Sequence, residues 1–262
     1  MRTFFARVIV LAGILSLACT TKVSEWVLLN ADPGRYTLVF FHKNAPAGNL
    51  NSRNELLAKS FNGANITFRD VVKDDAVQPY YALYYGSRLF SRYDDPEQLD
   101  GLVSSPAREK IAGEIMKGKL CVMVYLNSGI KEKDEKGMAE LKKAIAASPY
   151  SAIVPVVSID RNDPAEKHFI SMLLNVEADL KGFREPMLFG VFGKFKALEP
   201  LVSNGITAEN VNYMLEFLTA DCSCLIKDDL PGTDILYSGK WDAPATAMVN
   251  AILDANPSLM HQ

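Results

Sequence analysis

Cysteine, histidine and excess positive charge are all scarce in this chain, and each shortage argues against a class of function. The 262 residues include four cysteines and three histidines, and the histidines are scattered at positions 42, 168 and 261. Scattered histidines do not form a zinc site, which needs about four clustered ligands. The 28 basic residues are outnumbered by 31 acidic ones, giving a net charge of −3. We therefore expect no nucleic acid partner, because phosphate binding needs clustered Lys and Arg.

Long apolar runs are also missing, which argues against a transmembrane helix. Residues 8–17 are almost wholly apolar, broken only by Gly13 and Ser16, whereas a membrane-spanning helix needs about 20 apolar residues. Arg2 and Arg7 place positive charge ahead of this run. A basic start followed by a short apolar core is typical of a secretory signal.

The end of this signal resembles the lipobox of bacterial lipoproteins. The segment is Leu15-Ser16-Leu17-Ala18-Cys19, with Ser16 where the family usually has leucine. The resemblance implies a signal peptide over residues 1–19 that ends at this cysteine, and a lipid attached to Cys19. The chain would then lie in the cell envelope, held to a membrane by its lipid anchor on the periplasmic side. An ordinary secreted protein and an uncleaved anchor are the alternatives.

The rest of the chain shows one order of predicted elements twice. The first half predicts strands at residues 26–29 and 36–41 around the turn Pro33-Gly34, a helix near 52–61, a strand at 66–71, a hairpin around Gly86-Ser87, and helical pieces from Asp95 and Ser105. The second half predicts a strand at 120–126, a helix over 138–145, a strand at 152–157, a helix at 165–176, a hairpin around Gly193-Lys194 and a helix from Thr207. The first half leaves little room for its second helix, between Val71 and Pro79.

This element order resembles the thioredoxin fold, a mixed sheet covered by helices on both faces. Its markers are Gln78-Pro79 and Glu185-Pro186, each of which opens a hairpin. Thioredoxin-like proteins carry a cis-proline at this point, so the resemblance implies cis peptide bonds before Pro79 and Pro186. It also implies an α/β chain with one thioredoxin-like domain over residues 25–118, a second over 119–220, and a C-terminal tail over 221–262.

The cysteines that active thioredoxins use are missing from both domains. Those proteins carry Cys-x-x-Cys just after the first strand, whereas the corresponding segments here, residues 42–48 and 127–131, contain no cysteine. Redox chemistry at the family's usual site is therefore excluded, and we predict no catalytic residue, cofactor or metal there. His42, at the end of a predicted strand, could be a general base or a hydrogen-bonded strand-end residue, and His168 is expected on a solvated helix face.

Cys222-Ser223-Cys224, in the tail, is the one chemical motif left. Two thiols at this spacing can form a strained, easily reduced disulfide or hold a soft metal such as Cu(I). They can equally be a structural staple. Asp221, Asp228 and Asp229 disfavour a thiolate, which supports the structural interpretation. Cys121 opens an apolar strand and is expected to be a buried, inert thiol.

A cluster of tyrosines marks the first hairpin. Strand alternation places Tyr81 and Tyr85 on one face and Tyr80 and Tyr84 on the other, with Tyr93 nearby. One face could bind a peptide or protein partner, or the rings could form sheet core and cross-strand pairs. The function that these observations favour is a non-catalytic binding or scaffold protein of the cell envelope. Thiol–disulfide exchange or copper handling through Cys222 and Cys224 is the alternative, and whether the chain is an enzyme stays open.

Overall fold

The computed structural model describes residues 22–45, 48–151, 153–221 and 230–239. The first half contains helix α1 (Val23–Asn30), strand β1 (Tyr36–His42), helix α2 (Gly48–Ser60), strands β2 (Ile66–Val72), β3 (Tyr80–Tyr85) and β4 (Arg88–Tyr93), and helix α3 (Pro106–Met116). The second half contains strand β5 (Cys121–Leu126), helix α4 (Lys131–Ala147), strand β6 (Val156–Ile159), helix α5 (Lys167–Leu173), strands β7 (Met187–Phe192), β8 (Lys196–Ala197) and β9 (Leu201–Val202), helix α6 (Ala208–Thr219) and strand β10 (Thr233–Asp234).

Two mixed sheets with the same connectivity form the framework. The first sheet has the order β2-β1-β3-β4, with β1 parallel to β2 and antiparallel to β3, and β3 antiparallel to β4. In the second sheet, β6-β5-β7-β8 repeats that order and those directions, while β10 extends it beyond β8 and β9 pairs with β7. This is the strand arrangement of the thioredoxin fold, so the predicted α/β fold with two thioredoxin-like sheets is confirmed.

The second sheet is buried on both faces, because every residue of β5 and β7 is buried. One face packs with α3 and α5, and its β5 side chains are Val122, Val124 and Leu126. The other face packs with α1, α4 and α6, and its β5 side chains are Cys121, Met123 and Tyr125. A strand covered on both sides has no polar alternation, which explains the continuous apolar run at residues 120–126.

The first sheet is covered by described helices on one face only. Its inner face, with Tyr36, Leu38 and Phe40 of β1, shares a single core with α3, α5 and the second sheet. We call the opposite side the outer face; it carries Thr37, Val39 and Phe41 of β1, Thr67, Arg69 and Val71 of β2, Tyr80, Ala82 and Tyr84 of β3, and Leu89 and Arg92 of β4. None of these side chains belongs to the cores that the described helices form. The link between β2 and β3 has only seven residues and contains no helix. The expectation that helices cover both faces of each sheet is therefore not met by the described helices of the first sheet.

The prediction of a strand at residues 26–29 is wrong, because these residues lie in α1. Glu25 accepts a hydrogen bond from the backbone amide of Lys22 at 3.2 Å and so closes the first turn. Val23 and Val27, one turn apart, pack against the second sheet, and the amide of Val23 donates to the carbonyl of Ala220 at 2.9 Å. A four-residue apolar run fits a strand and a buried helix equally well, and this tertiary contact selects the helix.

The prediction of cis peptide bonds before Pro79 and Pro186 is also wrong, because every peptide bond among the described residues is trans. The carbonyl of Pro186 accepts a hydrogen bond from the amide of Ser203 at 2.9 Å, which continues the β7–β9 ladder by one residue. An extended entry of this kind needs no tight turn, and without one the ordinary trans preference of about 0.5–1 kcal/mol decides.

A buried polar network joins the two halves at the start of α3. Arg108 is fully buried and donates hydrogen bonds to the carbonyls of Leu102 and Leu236, both at 2.8 Å. Burial lowers the pKa of its guanidinium to about 10, an effect that the nearby Glu166 carboxylate opposes. Glu166 comes from the second half and accepts from the amide of Ala107 at 2.7 Å and from the hydroxyl of Ser105 at 2.5 Å. The second half therefore caps the last helix of the first.

His168, in the second half, also contacts the first half. The expectation that it lies on a solvated helix face is wrong. The side chain is buried, and burial lowers its pKa to about 4. The ring is therefore neutral at physiological pH and donates from Nε2 to the carbonyl of Gln98 at 2.8 Å.

Residues 230–239 form a strap across both halves. Asp234, in β10, forms a buried ion pair with Lys196 at 3.2 Å, and its carbonyl accepts from the hydroxyl of Tyr36 at 2.9 Å. Further along, the amide of Ser238 donates to the carbonyl of Val103 at 2.8 Å, and Ser238 pairs with Ala64. The strap thus contacts strands or loops of each half.

We predict that Glu166→Ala lowers the free energy of unfolding by about 3 kcal/mol, because it leaves the Ala107 amide and the buried guanidinium without their carboxylate. Urea unfolding at neutral pH measures this loss. Glu166→Gln keeps one acceptor oxygen and should lose less. Glu135→Ala removes an exposed carboxylate and serves as the control. A loss no larger than that of the control would contradict the capping role.

Candidate functional site

The first domain has a histidine where thioredoxins begin their active-site segment. His42 ends β1, and its buried ring contacts the Asp70 carboxylate through Nε2 and the carbonyl of Asn44 through Nδ1, the latter at 2.8 Å. Both ring nitrogens are therefore engaged by neighbouring groups of the chain itself. The structure therefore supports the strand-end interpretation of His42 over that of a general base.

A second polar pair lies on the same inner face. Phe40 stacks on His42 with ring centroids 5.2 Å apart and lies 4.8 Å from the ring of Tyr81. The Tyr81 hydroxyl donates to Oδ1 of Asn54, on α2, at 2.6 Å, and burial raises its pKa to about 12, which keeps it protonated. Sequence reasoning missed Asp70 and Asn54, although the alternation of β2 places Asp70 on the face of Phe40.

The corresponding segment of the second domain is closed by a carboxylate. Asp134, in the first turn of α4, accepts from the amide of Ser128 at 2.7 Å, from its hydroxyl at 2.8 Å and from the amide of Gly129 at 3.0 Å. Gly129 has a φ of +85°, a backbone conformation that glycine adopts without strain. The amides of Ser128 and Gly129 and the Ser128 hydroxyl therefore already donate to Asp134. They are not available to a thiolate or to an anionic ligand.

A groove opens beside this segment, with a volume of about 750 Å³. Its walls are the start of α4, the segment before β7 and the turn before α6; the lining residues are Glu132, Lys133, Lys136, Gly137, Glu140, Glu185, Pro186, Ser203, Asn204, Ile206 and Thr207. Glu185 spans it, accepting from Lys133 Nζ at 2.5 Å and from the Ser203 hydroxyl at 2.9 Å. These two hydrogen bonds hold the pKa of Glu185 below its usual value. Pro186, predicted from the hairpin marker, is therefore part of a groove wall.

Cys121 is the one cysteine within the described residues, and its thiol is buried and protonated. Its side chain is fully buried in the second sheet, and burial raises the pKa of the thiol to about 12. It is a neutral thiol in an apolar core, as predicted. Cys19, Cys222 and Cys224 lie outside the described residues. Asp221, directly before the pair, forms an ion pair with Lys22 at 2.8 Å.

The tyrosines divide between the two faces of the first sheet as the alternation predicts. Tyr81 and Tyr85 join or contact the inner core, together with Tyr93. Tyr80 lies on the outer face, where the Arg92 guanidinium is 3.9 Å from its ring centroid.

No group of three or more His, Cys, Asp or Glu side chains in the described part of the chain is placed to hold a metal ion. Within the same residues, no helix has both the length and the apolar character needed to cross a membrane.

Comparison with known proteins finds similarity only among solved structures, since no family model and no curated protein matches the sequence. The chain is similar to ERdj5 in its crystal form I, with 17% identity and a TM-score of 0.29 over 72% of this chain, and it spans 28% of the ERdj5 chain. It is similar to the first two thioredoxin domains of Eps1p from Naumovozyma dairenensis, with 13% identity and a TM-score of 0.23, covering 88% of this chain and 94% of that one. These likenesses are weak, so the fold assignment rests on strand order and direction within the chain.

We predict that alkylating reagents leave Cys121 unlabelled in the folded protein, because the thiol is both buried and protonated. Mass spectrometry through a glutathione redox series without denaturant measures this, and follows Cys222 and Cys224 in the same samples. We expect the pair to label only after unfolding, as for structural disulfides with potentials below about −300 mV. Two labels gained and lost together near about −200 mV would instead identify a working dithiol.

Proposed function

We propose that this chain is an exported, lipid-anchored protein that binds a partner in the cell envelope through its thioredoxin-like framework, without thiol catalysis. The observation that supports this most directly is what occupies residues 42–48 and 127–131, the two positions where active thioredoxins carry Cys-x-x-Cys. In the first domain the position holds the His42–Asp70 pair, and in the second it holds a turn closed by Asp134. Both arrangements use their polar groups internally, and neither contains a thiol.

The groove beside Pro186 is the proposed binding site, and an extended peptide segment is its proposed ligand. Ligand sites commonly have volumes of about 300–1,000 Å³ and a few polar groups that fix orientation. This groove offers cations from Lys133 and Lys136 and an anion from Glu185. Among the residues that the structure describes, Lys136 donates to the neutral amide of Asn204 at 3.3 Å and forms no ion pair, so it can exchange this partner for a peptide carboxylate or carbonyl at small cost. Thioredoxin-like domains without cysteines often bind peptides at the corresponding groove, and the resemblance adds that support.

Cell-envelope anchoring is the second part of the proposal, and it is carried by the segment that ends in Cys19. We predict that the full chain, expressed in a bacterium, incorporates labelled palmitate and fractionates with membranes, because acyl chains contribute about 0.8 kcal/mol per buried CH₂. Cys19→Ser should abolish labelling and release the chain from the membrane fraction. Cys121→Ser is the matched control and should leave labelling unchanged. Retention of the label in Cys19→Ser would contradict anchoring at this residue.

Binding at the groove predicts a charge-dependent affinity for peptides. Peptides selected from a random-sequence display library on the immobilised chain should bind the double variant Lys133→Glu, Lys136→Glu at least about tenfold more weakly, equivalent to about 1.4 kcal/mol. Fluorescence anisotropy of the labelled peptides measures this.

The matched control is Lys143→Glu, an exposed charge on the same helix outside the groove. Peptides that bind the double variant as tightly as they bind the unmodified chain would contradict the groove as the site. A thiol function through Cys222 and Cys224 would appear instead as affinity that depends on their oxidation state.

A further inference from the structure

The Glu185 side chain lies across the groove as a carboxylate that belongs to the chain itself. Its Oε1 accepts from Nζ of Lys133, on α4, and its Oε2 accepts from the hydroxyl of Ser203, just after β9. The two donors come from different walls of the groove, and each serves one oxygen of the carboxylate. Hydrogen bonds of this kind to an ionised acceptor are stronger than those between neutral groups. Lys133 and Ser203 together therefore form a site for one carboxylate.

The backbone of Ser203 holds its hydroxyl at this site. Ser203 has a φ of +53°, a left-handed conformation that is uncommon for residues other than glycine. Such conformations persist only where the surrounding structure holds them, and they cluster at ligand sites and other functional positions. The Ser203 amide donates to the carbonyl of Pro186 at 2.9 Å while its hydroxyl donates to Glu185. One residue therefore joins the two sides of the groove and contributes a donor to the carboxylate position.

The Glu185 carboxylate can leave this site without any movement of the backbone. Arg161 donates to the carbonyls of Phe183 and Glu185, both at 2.9 Å. It also donates to the carbonyl of Asn127, just after β5, at 3.2 Å, so the segment before β7 is fixed to the second sheet. The side chains of Lys133 and Glu185 are 45% and 25% exposed, and an ion pair in contact with solvent contributes little to stability. Rotation of one side chain is therefore enough to open the site.

The charges along the groove favour a ligand with one carboxylate over a run of acidic residues. Lys136 follows Lys133 by three residues and so lies on the same side of α4. Among the described residues it forms no ion pair, so it offers an incoming carboxylate a second cation. Glu132 and Glu140, on the same helix, also line the groove and repel any further negative charge. A single carboxylate therefore matches the groove better than several.

We propose that the groove recognises a single carboxylate of its ligand, which takes the place of the Glu185 carboxylate between Lys133 and Ser203. Glu185 is then an internal competitor that fills the site while no partner is bound and lowers the affinity for the partner. The C-terminus of a peptide and an Asp or Glu side chain present the same group, so either satisfies the site. This inference rests on the proposed function, because it assigns the chemistry that the groove recognises.

Peptides with and without a carboxylate test this recognition. Library peptides displayed with a free C-terminus are selected on the immobilised full chain, and fluorescence anisotropy compares each with its amidated form and with forms in which Asn or Gln replaces Asp or Glu. One neutral form should bind at least about tenfold more weakly, because it loses hydrogen bonds to a charged group. A loss on amidation assigns the C-terminus, and a loss on side-chain replacement assigns the side chain. Equal affinity for all forms would overturn the proposal, even if Lys133→Glu, Lys136→Glu weakens binding as the proposed function requires.

Glu185→Gln tests the competition, because it removes the internal charge with little change in size. It should raise the affinity for carboxylate peptides about threefold, as expected for the loss of a partly exposed ion pair, and leave the affinity for the neutral forms unchanged. Glu135→Gln, an exposed carboxylate on the same helix outside the groove, is the matched control and should change neither affinity. Unchanged or weaker binding of carboxylate peptides by Glu185→Gln would overturn the competition.

Ser203→Ala tests the donor on the other wall. It should weaken the binding of carboxylate peptides at least about threefold, because one hydrogen bond to the ligand is lost, while the neutral forms bind as before. Equal weakening of both forms would mean a general loss of structure and would overturn the role of Ser203 at the carboxylate. A library that yields no binder at all would contradict the proposed function, and this inference with it.

Discussion

The assembly of the two domains depends on one buried charge. Arg108 is fully buried, and an ionised group inside a protein is tolerated only when its hydrogen bonds are satisfied. Its acceptors are the Gly101 and Leu102 carbonyls, in the loop before α3, the Ser105 hydroxyl, and the Leu236 carbonyl, in the strap. Glu166 of the second half holds the same Ser105 hydroxyl. The guanidinium is therefore satisfied only when the loop before α3 and the strap are both in place, and Glu166 ties the second half to the same point through Ser105.

Carboxylates from outside the two thioredoxin positions, residues 42–48 and 127–131, bind the polar groups at those positions. Asp70 holds His42 at the end of β1, and Asp134 holds the turn that leads into α4. Each carboxylate forms hydrogen bonds with nearby polar groups and so stabilises the local backbone. The thioredoxin-like sheets are therefore present although the thiol sites are absent. The groove beside Pro186 is different, because Lys136 and Asn204 are held there by one long contact. It is the site at which we propose that the chain binds a partner.

Several features of the fold can be predicted from the sequence, and the predictions that are wrong have physical causes. The alternation of β3 placed Tyr80 and Tyr81 on opposite faces correctly, and the apolar run at residues 120–126 marked β5. The apolar run at residues 26–29 fits a strand as well as a helix, because four apolar residues carry no period that separates the two. The proline markers located the start of β7 but not its peptide geometry, because a trans bond suits a strand that enters its ladder directly. Asp70 and Asn54 escaped notice because nothing local links them to His42 or Tyr81.

The sequence by itself determined the repeated order of strands and helices, the absence of thiols at both thioredoxin positions, and the burial of Cys121 in an apolar strand. These follow from composition and periodicity, which act over a few neighbouring residues. Only the tertiary structure decided that α1 packs on the second sheet, that Glu166 caps a helix of the other half, and that residues 230–239 tie the halves together. Each of these depends on contacts between residues far apart in the sequence, such as Ala107 with Glu166, which are 59 positions apart. Local pattern cannot encode such contacts, because they depend on which buried polar groups must find partners once the sheets have formed.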